Sequence, residues 1–183
     1  MLNYKKGTPD LVEKNMRTFT SQEELKTFVE AAISGGNKPL SYIKTALVSL
    51  RRAKDGEVIE TKMKNGLSET VNTAQKGDFI ATNPDGEEYI VKSGQYEPSS
   101  NNPSLHCSTA GVQQFIRIAE DIEFPTSWGE KMTIAAGGFL NVTHLHENKI
   151  YGIQKEEFFH TYSPCDKKGN ILTPFLRKAS FRS

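Results

Sequence analysis

The chain has 183 residues, of which 36% are hydrophobic and 25% charged, with a formal net charge of +1. That length can bury a sizeable core without disulfide staples, and the composition is that of a soluble globular protein, not of a disordered or membrane chain. The near-neutral balance lacks the basic excess by which phosphate-neutralising proteins gain affinity, which argues against nucleic acid as a partner.

The opening stretch MLNYKKGTPDLVEKN has no unbroken apolar core of the kind a signal peptide needs, and no later run reaches membrane-helix length. No membrane partner and a cytoplasmic location are therefore expected. TSQEELKTFVEAAISGG reads as a helix. Ser21 and Glu24 have capping-box spacing, Leu25, Phe28, Val29, Ala32 and Ile33 share one face, and Gly35 and Gly36 supply a left-handed stop. Between Pro39 and Arg52 the apolar residues fit neither helical nor strand period. The Asp55-Gly56 dipeptide favours a hairpin there, with TALVSLRR as its first strand and EVIETKMK as its second. Residues 1–56 thus form an N-terminal region of helix and first strand.

From Glu57 onward short strands alternate with strong turn signals. EVIETKMK, ETVNTA, DFIAT and EEYIV, punctuated by Asn65-Gly66, Lys76-Gly77 and Asn83-Pro84-Asp85-Gly86, predict a first β-meander over residues 57–98. SSNNPS marks a linker loop within 99–113. The same order then returns over 114–162: QFIRIAE, the turn PTSWGE, KMTIA, the turn AAGG, FLNVT, the loop HLHEN, IYGI and a short helix in QKEEFFHTY. Gly77, Phe79, Ile80 and Tyr89 answer Gly137, Phe139, Leu140 and Tyr151, with a small insertion in the last loop. Residues 163–183 read as a solvated tail in which Lys167, Lys168, Arg177, Lys178 and Arg182 surround Phe175 and Phe181.

A lone four-stranded sheet would leave one apolar face and two edges open to water and to other chains. Two copies can bury those faces together. The expected fold class is α+β, mainly β: a duplicated four-strand antiparallel meander forming a sandwich or barrel, with the N-terminal helix packed on it. Phe79, Ala81, Tyr89, Val91, Phe139, Asn141, Tyr151 and Ile153 are the period-two positions for its inward face, with Asn141 spoiling a clean alternation.

KGDFIATNPDGEEYIV with the following Tyr96, and more loosely AGGFLNVT and NKIYGIQKEEFFHTY, resemble the PGDYG domain, a short module of bacterial and phage proteins. Its hallmark is a Pro-Gly-Asp-aromatic turn, a Gly-Glu-x-Tyr strand and a Phe-x-x-x-Tyr ending. Here Lys76 replaces the proline, while Gly77, Asp78, Phe79, Gly86, Glu87 and Tyr89 fit. The second copy keeps Gly137 and Phe139, has Gly138 in place of the acid, and ends on Phe158 and Tyr162. The resemblance implies a small β-rich fold and a bacterial or phage setting. It carries no catalytic residue set.

Several residues invite a chemical reading. Trp128, the sole tryptophan, lies in a turn before Glu130 and Lys131, where an indole can stack on a ring or fold back to close the end of the fold. Tyr89 and Tyr151 stand either as matched core residues or as ligand contacts. Asp78, Asp85 and Glu87 suggest paired carboxylates, although aspartates in turns also cap backbone donors. His144 and His146, on one side of an extended strand, are candidate metal ligands for a hydrolase. Cys107 and Cys165 form no CxxC pair, and Cys107 points away from His106 if both lie in a strand.

Together these point to a non-catalytic binding module without a cofactor. Trp128, Glu130, Lys131, Asp85, Glu87, Tyr89 and Tyr151 are its contacts to a protein or a small nucleotide-like ligand. A metal-dependent hydrolase and a homo-oligomer joined at an open sheet edge are the alternatives.

Overall fold

Ser21 opens the first helix, α1 (Gln22–Ser34), by accepting the Glu24 N–H on its hydroxyl at 3.1 Å. The Glu24 carboxylate reaches back to Thr20, accepting its N–H at 2.7 Å and its hydroxyl at 2.8 Å, so the capping box closes one residue further out than the spacing predicts. Gly36, at φ 104°, provides the stop. The computed structural model describes residues 16–62, 68–84 and 86–172. Asp85 and the tail from residue 173, with Phe175 and Phe181, lie outside the described residues.

The strands, in chain order, are β1 (Arg17–Thr18), β2 (Leu40–Lys44), β3 (Ser49–Arg52), β4 (Val58–Lys62), β5 (Ser68–Thr73), β6 (Phe79–Thr82), β7 (Glu88–Val91), β8 (Tyr96–Pro98), β9 (His106–Ser108), β10 (Val112–Arg117), β11 (Ile122–Pro125), β12 (Lys131–Ile134), β13 (Phe139–His144), β14 (Lys149–Ile153) and β15 (Tyr162–Pro164). A 3-10 turn (Leu145–Glu147) separates β13 from β14, and α2 (Lys155–Thr161) runs directly into β15. The protein is mainly β, with α1 and α2 packed on its sheets.

Among the described residues five separate sheets form and none closes on itself, so they do not make a barrel. The largest has the order β14-β13-β10-β2-β15. Two three-stranded sheets, β3-β6-β7 and β1-β11-β12, and the pairs β4-β5 and β8-β9 complete the set. The hairpin expected across Asp55-Gly56 does not form. β3 pairs with β6 and β4 with β5, because the corner at Gly56 donates its N–H to Ala74 on the far side of β5. The four segments of each expected meander likewise divide between a hairpin and a separate ladder.

Those ladders correspond. In the first, Arg52 lies opposite Phe79, Leu50 opposite Ala81, and Phe79 and Ala81 opposite Val91 and Tyr89. In the second, Arg117 lies opposite Phe139, Phe115 opposite Asn141, and Phe139 and Asn141 opposite Ile153 and Tyr151. The turn bonds match as well: Ala53 donates to Asp78 O, and Ile118 to Gly138 O, both at 3.0 Å. A hairpin is inserted at the same point of each, β4–β5 between β3 and β6 and β11–β12 between β10 and β13.

Both faces of the central strands are buried. Ile80 packs with Ile59 and Ala74 of its hairpin, and Leu140 with Ile122, Phe124, Met132 and Ile134 of the other. α1 covers that second core with Leu25 and Val29. Gln22 clamps the edge strand β14 to this layer, donating to Ile150 O at 3.0 Å and Pro125 O at 2.6 Å and accepting the Ile150 N–H at 2.8 Å. On the opposite face of the five-stranded sheet Phe115, Phe139, Phe158 and Tyr162 form an aromatic core, with Phe139 and Phe158 stacked at 3.8 Å between centroids. Among the described residues no helix is long and apolar enough to cross a membrane.

Candidate functional site

Register decides which side chains share a face. Directly opposed residues of an antiparallel pair point to the same side, as do residues two apart on one strand. On one face of the five-stranded sheet this brings together Tyr151, Asn141, Gln113, Lys44 and Tyr162. Tyr89, from β7, and Tyr96, from β8, stand across from them. The space between is a cavity of about 800 Å³.

Lys44 links the two sides. Its ammonium donates to the Tyr89 hydroxyl at 2.6 Å and lies 4.6 Å, 5.7 Å and 5.9 Å from the ring centroids of Tyr89, Tyr96 and Tyr162. The Tyr89 hydroxyl donates to Asn83 Oδ1 at 3.1 Å and lies 2.9 Å from that of Tyr96. Asn83, in turn, donates to Glu87 at 2.9 Å and to Glu157 of α2 at 2.6 Å, tying the β6–β7 turn to the helix. Opposite, Asn141 Nδ2 donates to Gln113 Oε1 at 2.6 Å and to the Tyr151 hydroxyl at 2.8 Å.

Burial raises the pKa of Tyr89 and Tyr162 and pushes Tyr151 up to about 12. All three stay neutral phenols at physiological pH, suited to hydrogen bonding and not to proton abstraction. At one end of the cavity Lys92 binds both Asp78 oxygens, at 2.8 and 2.9 Å, and the Gln75 N–H binds Oδ2 at 2.9 Å. The lysine first, then the amide, holds the Asp78 carboxyl below its usual range. At another, Trp128 is 51% exposed on the β11–β12 turn and donates its indole N–H to Glu130 at 3.1 Å. Burial moves the Glu130 carboxyl upward, against the lowering effect of that bond.

Of the residues singled out from the sequence, Trp128, Glu130, Glu87, Tyr89 and Tyr151 all line this cavity. Lys131 does not. It alternates with Glu130 and Met132, and therefore points the other way, to Glu123 at 2.9 Å. His144 and His146 are also elsewhere. β13 ends at His144 and the 3-10 turn carries His146, so the two do not share a strand face, and His144 binds Glu147 at 3.0 Å. Among the described residues no group of three or more His, Cys, Asp or Glu could hold a metal ion.

Lys44, Gln113 and Glu157 were missed by sequence reasoning. Asn141, which spoiled the alternation, was the one available signal: a polar residue at a core position of a strand announces a buried network. Lys44 gave none, lying in a segment without a readable period.

No family model matches this chain, and no curated protein or solved structure does either.

Proposed function

We propose that the protein is a non-catalytic binding module that takes a small, flat, nucleotide-like ligand into the cavity between its two ladders. The observation that carries this reading is the convergence of Trp128, Tyr89, Tyr151, Glu87 and Glu130 on one space of about 800 Å³, within the roughly 300–1,000 Å³ of small-molecule sites. The aromatic groups supply stacking surface and the carboxylates and amides polar edges. Three phenols held neutral by burial favour recognition over acid–base chemistry.

The matched registers support a further part of the proposal, that the two ladders with their inserted hairpins are copies of one module of the PGDYG type. In this reading the module places equivalent tyrosines, Tyr89 and Tyr151, on opposite walls of a shared cleft. In a bacterial or phage setting, sequestering a small signal is one use of such a cleft.

Trp128 is the only tryptophan, so its emission reports directly on the cavity mouth. Titration with a panel of nucleosides and nucleotides should quench or shift that emission. Ligand at 100 times its Kd should also stabilise the fold by about 2.7 kcal/mol in thermal unfolding. If no member of the panel at millimolar concentration alters either signal, the reading is wrong.

A further inference from the structure

Resting on the cavity reading above, we infer that the floor of the cavity selects an oxygen acceptor on its ligand, and that the ligand is a heterocycle with an oxo group at the position where adenine and cytosine carry their amino group, as in hypoxanthine or uracil. Thr143 sets the orientation of the amides. Its backbone N–H can only donate, and it binds Asn141 Oδ1 at 3.0 Å. That fixes the Asn141 amide, whose NH2 must then face Gln113 and Tyr151. The atom of Gln113 receiving the bond at 2.6 Å is therefore Oε1, and its own NH2 is left over. Gln113 is only 8% exposed and lines the cavity, yet among the described residues that NH2 has no acceptor.

Lys44 has the same surplus. One of its three N–H groups goes to Tyr89, three tyrosine rings flank it, and among the described residues no carboxylate pairs with it. Lys44 and Gln113 lie on adjacent strands and one face, since Gln113 opposes Tyr42, two residues from Lys44. Diagonal positions of this kind are about 7–8 Å apart, within reach of long side chains converging on one group. Both offer only donors.

An oxo oxygen satisfies them. An amino group presented there would meet donors on both sides and leave buried hydrogen bonds unmade. A phosphoryl group is disfavoured at the floor because Glu87, Glu130 and Glu157 border the same space and Lys92 is committed to Asp78.

The experiment is a Trp128 fluorescence titration of the full chain with two nucleoside pairs, inosine against adenosine and uridine against cytidine, each pair exchanging oxo for amino. The oxo member should bind about tenfold more tightly or better in each pair. Lys44→Met keeps the length of the stem. Gln113→Glu keeps an acceptor for Asn141 while turning the free donor into an acceptor. Each variant should reduce the preference, with thermal unfolding and circular dichroism confirming that it folds. Equal affinities within both pairs for the wild-type protein would overturn the inference while leaving the cavity reading intact. No binding of any of the four would overturn the inference, and the cavity reading would fall with it only if the nucleotides of the wider panel also failed to bind. A preference that survives unchanged in a folded variant would overturn the assignment to that residue. If neither variant folds, the wild-type comparison decides alone.

Discussion

The ladder β3-β6-β7 and the ladder β10-β13-β14 pair the same positions, yet they meet their surroundings differently at two places. Where the first has Asp78, the second has Gly138; where the first has Ala81, the second has Asn141. Asp78 organises its own turn through the Gln75 N–H and Lys92. Gly138 has no room for a side chain, because a Cβ there would lie 2.5 Å from Ile134 Cγ2 and 3.0 Å from Ala135 O. Ala81 is packed in an apolar cluster with Val48 and Val91, whereas Asn141 is the hub of the Gln113–Tyr151 network. The backbone ladder is therefore tolerant, and side-chain volume and polarity at two positions decide what each ladder does.

Placing an acid at position 138 of the second ladder should be the most damaging change. Gly138→Asp forces Ile134 and the Ala135 carbonyl apart and should cost about 3 kcal/mol, measured as a shift in urea midpoint at constant slope. A change within error would mean that the turn has slack the close approach to Ile134 denies.

Asn141→Ala makes the second ladder resemble the first at the other position. It leaves the Thr143 N–H without its acceptor and frees Gln113 to rotate, at a cost of about 1–3 kcal/mol. Hydrogen exchange should accelerate at Thr143 ahead of the β6–β7 amides. Equal acceleration in both ladders would sink the idea that the network belongs to one of them.

The smallest effect lies in the first ladder alone, where Arg51 grips the Glu57 carboxylate at 2.8 and 3.1 Å and the Lys54 N–H adds a third bond at 2.9 Å. Arg51 first, then the amide, lowers the Glu57 pKa to about 2. A depressed carboxyl pKa contributes stability that is complete above the ordinary value of 4.5 and is lost as pH falls through about 2. The melting temperature of the wild-type protein should exceed that of Glu57→Gln slightly at pH 6, with the gap closing by about pH 2. A gap independent of pH would show that the charge is not its source.

Much of the fold was legible because it is local. Ser21, Glu24 and the paired glycines announce α1, and the Lys76-Gly77 and Ala136-Gly137 turns mark where each ladder turns back, with Gly77 at φ 99° and Gly137 at φ 90°. Neighbouring partners were legible at β4–β5, β6–β7 and β13–β14, but the long-range ones were not. TALVSLRR and EVIETKMK look like hairpin neighbours in sequence, but β3 joins β6 across the whole of the inserted hairpin. Period-two patterning also sees one face at a time, so Ile80 and Leu140 fell between the inward positions although both are completely buried. Of the side chains that line the cavity, the conspicuous ones were readable, Trp128, Tyr89 and Tyr151 above all, while Lys44 became visible only once β2 was inserted between β10 and β15.

Alternation, turn chemistry and capping are written into neighbouring residues, and so local sequence was enough to place α1, the main turns and a mainly β chain. Tertiary structure alone decided that the ladders enclose a cavity and that Lys44 and Gln113 share its floor. These outcomes depend on hydrogen-bond partners tens of residues apart, such as β2 with β10 and β15, and each pairing is selected by how well a remote surface buries the same apolar side chains.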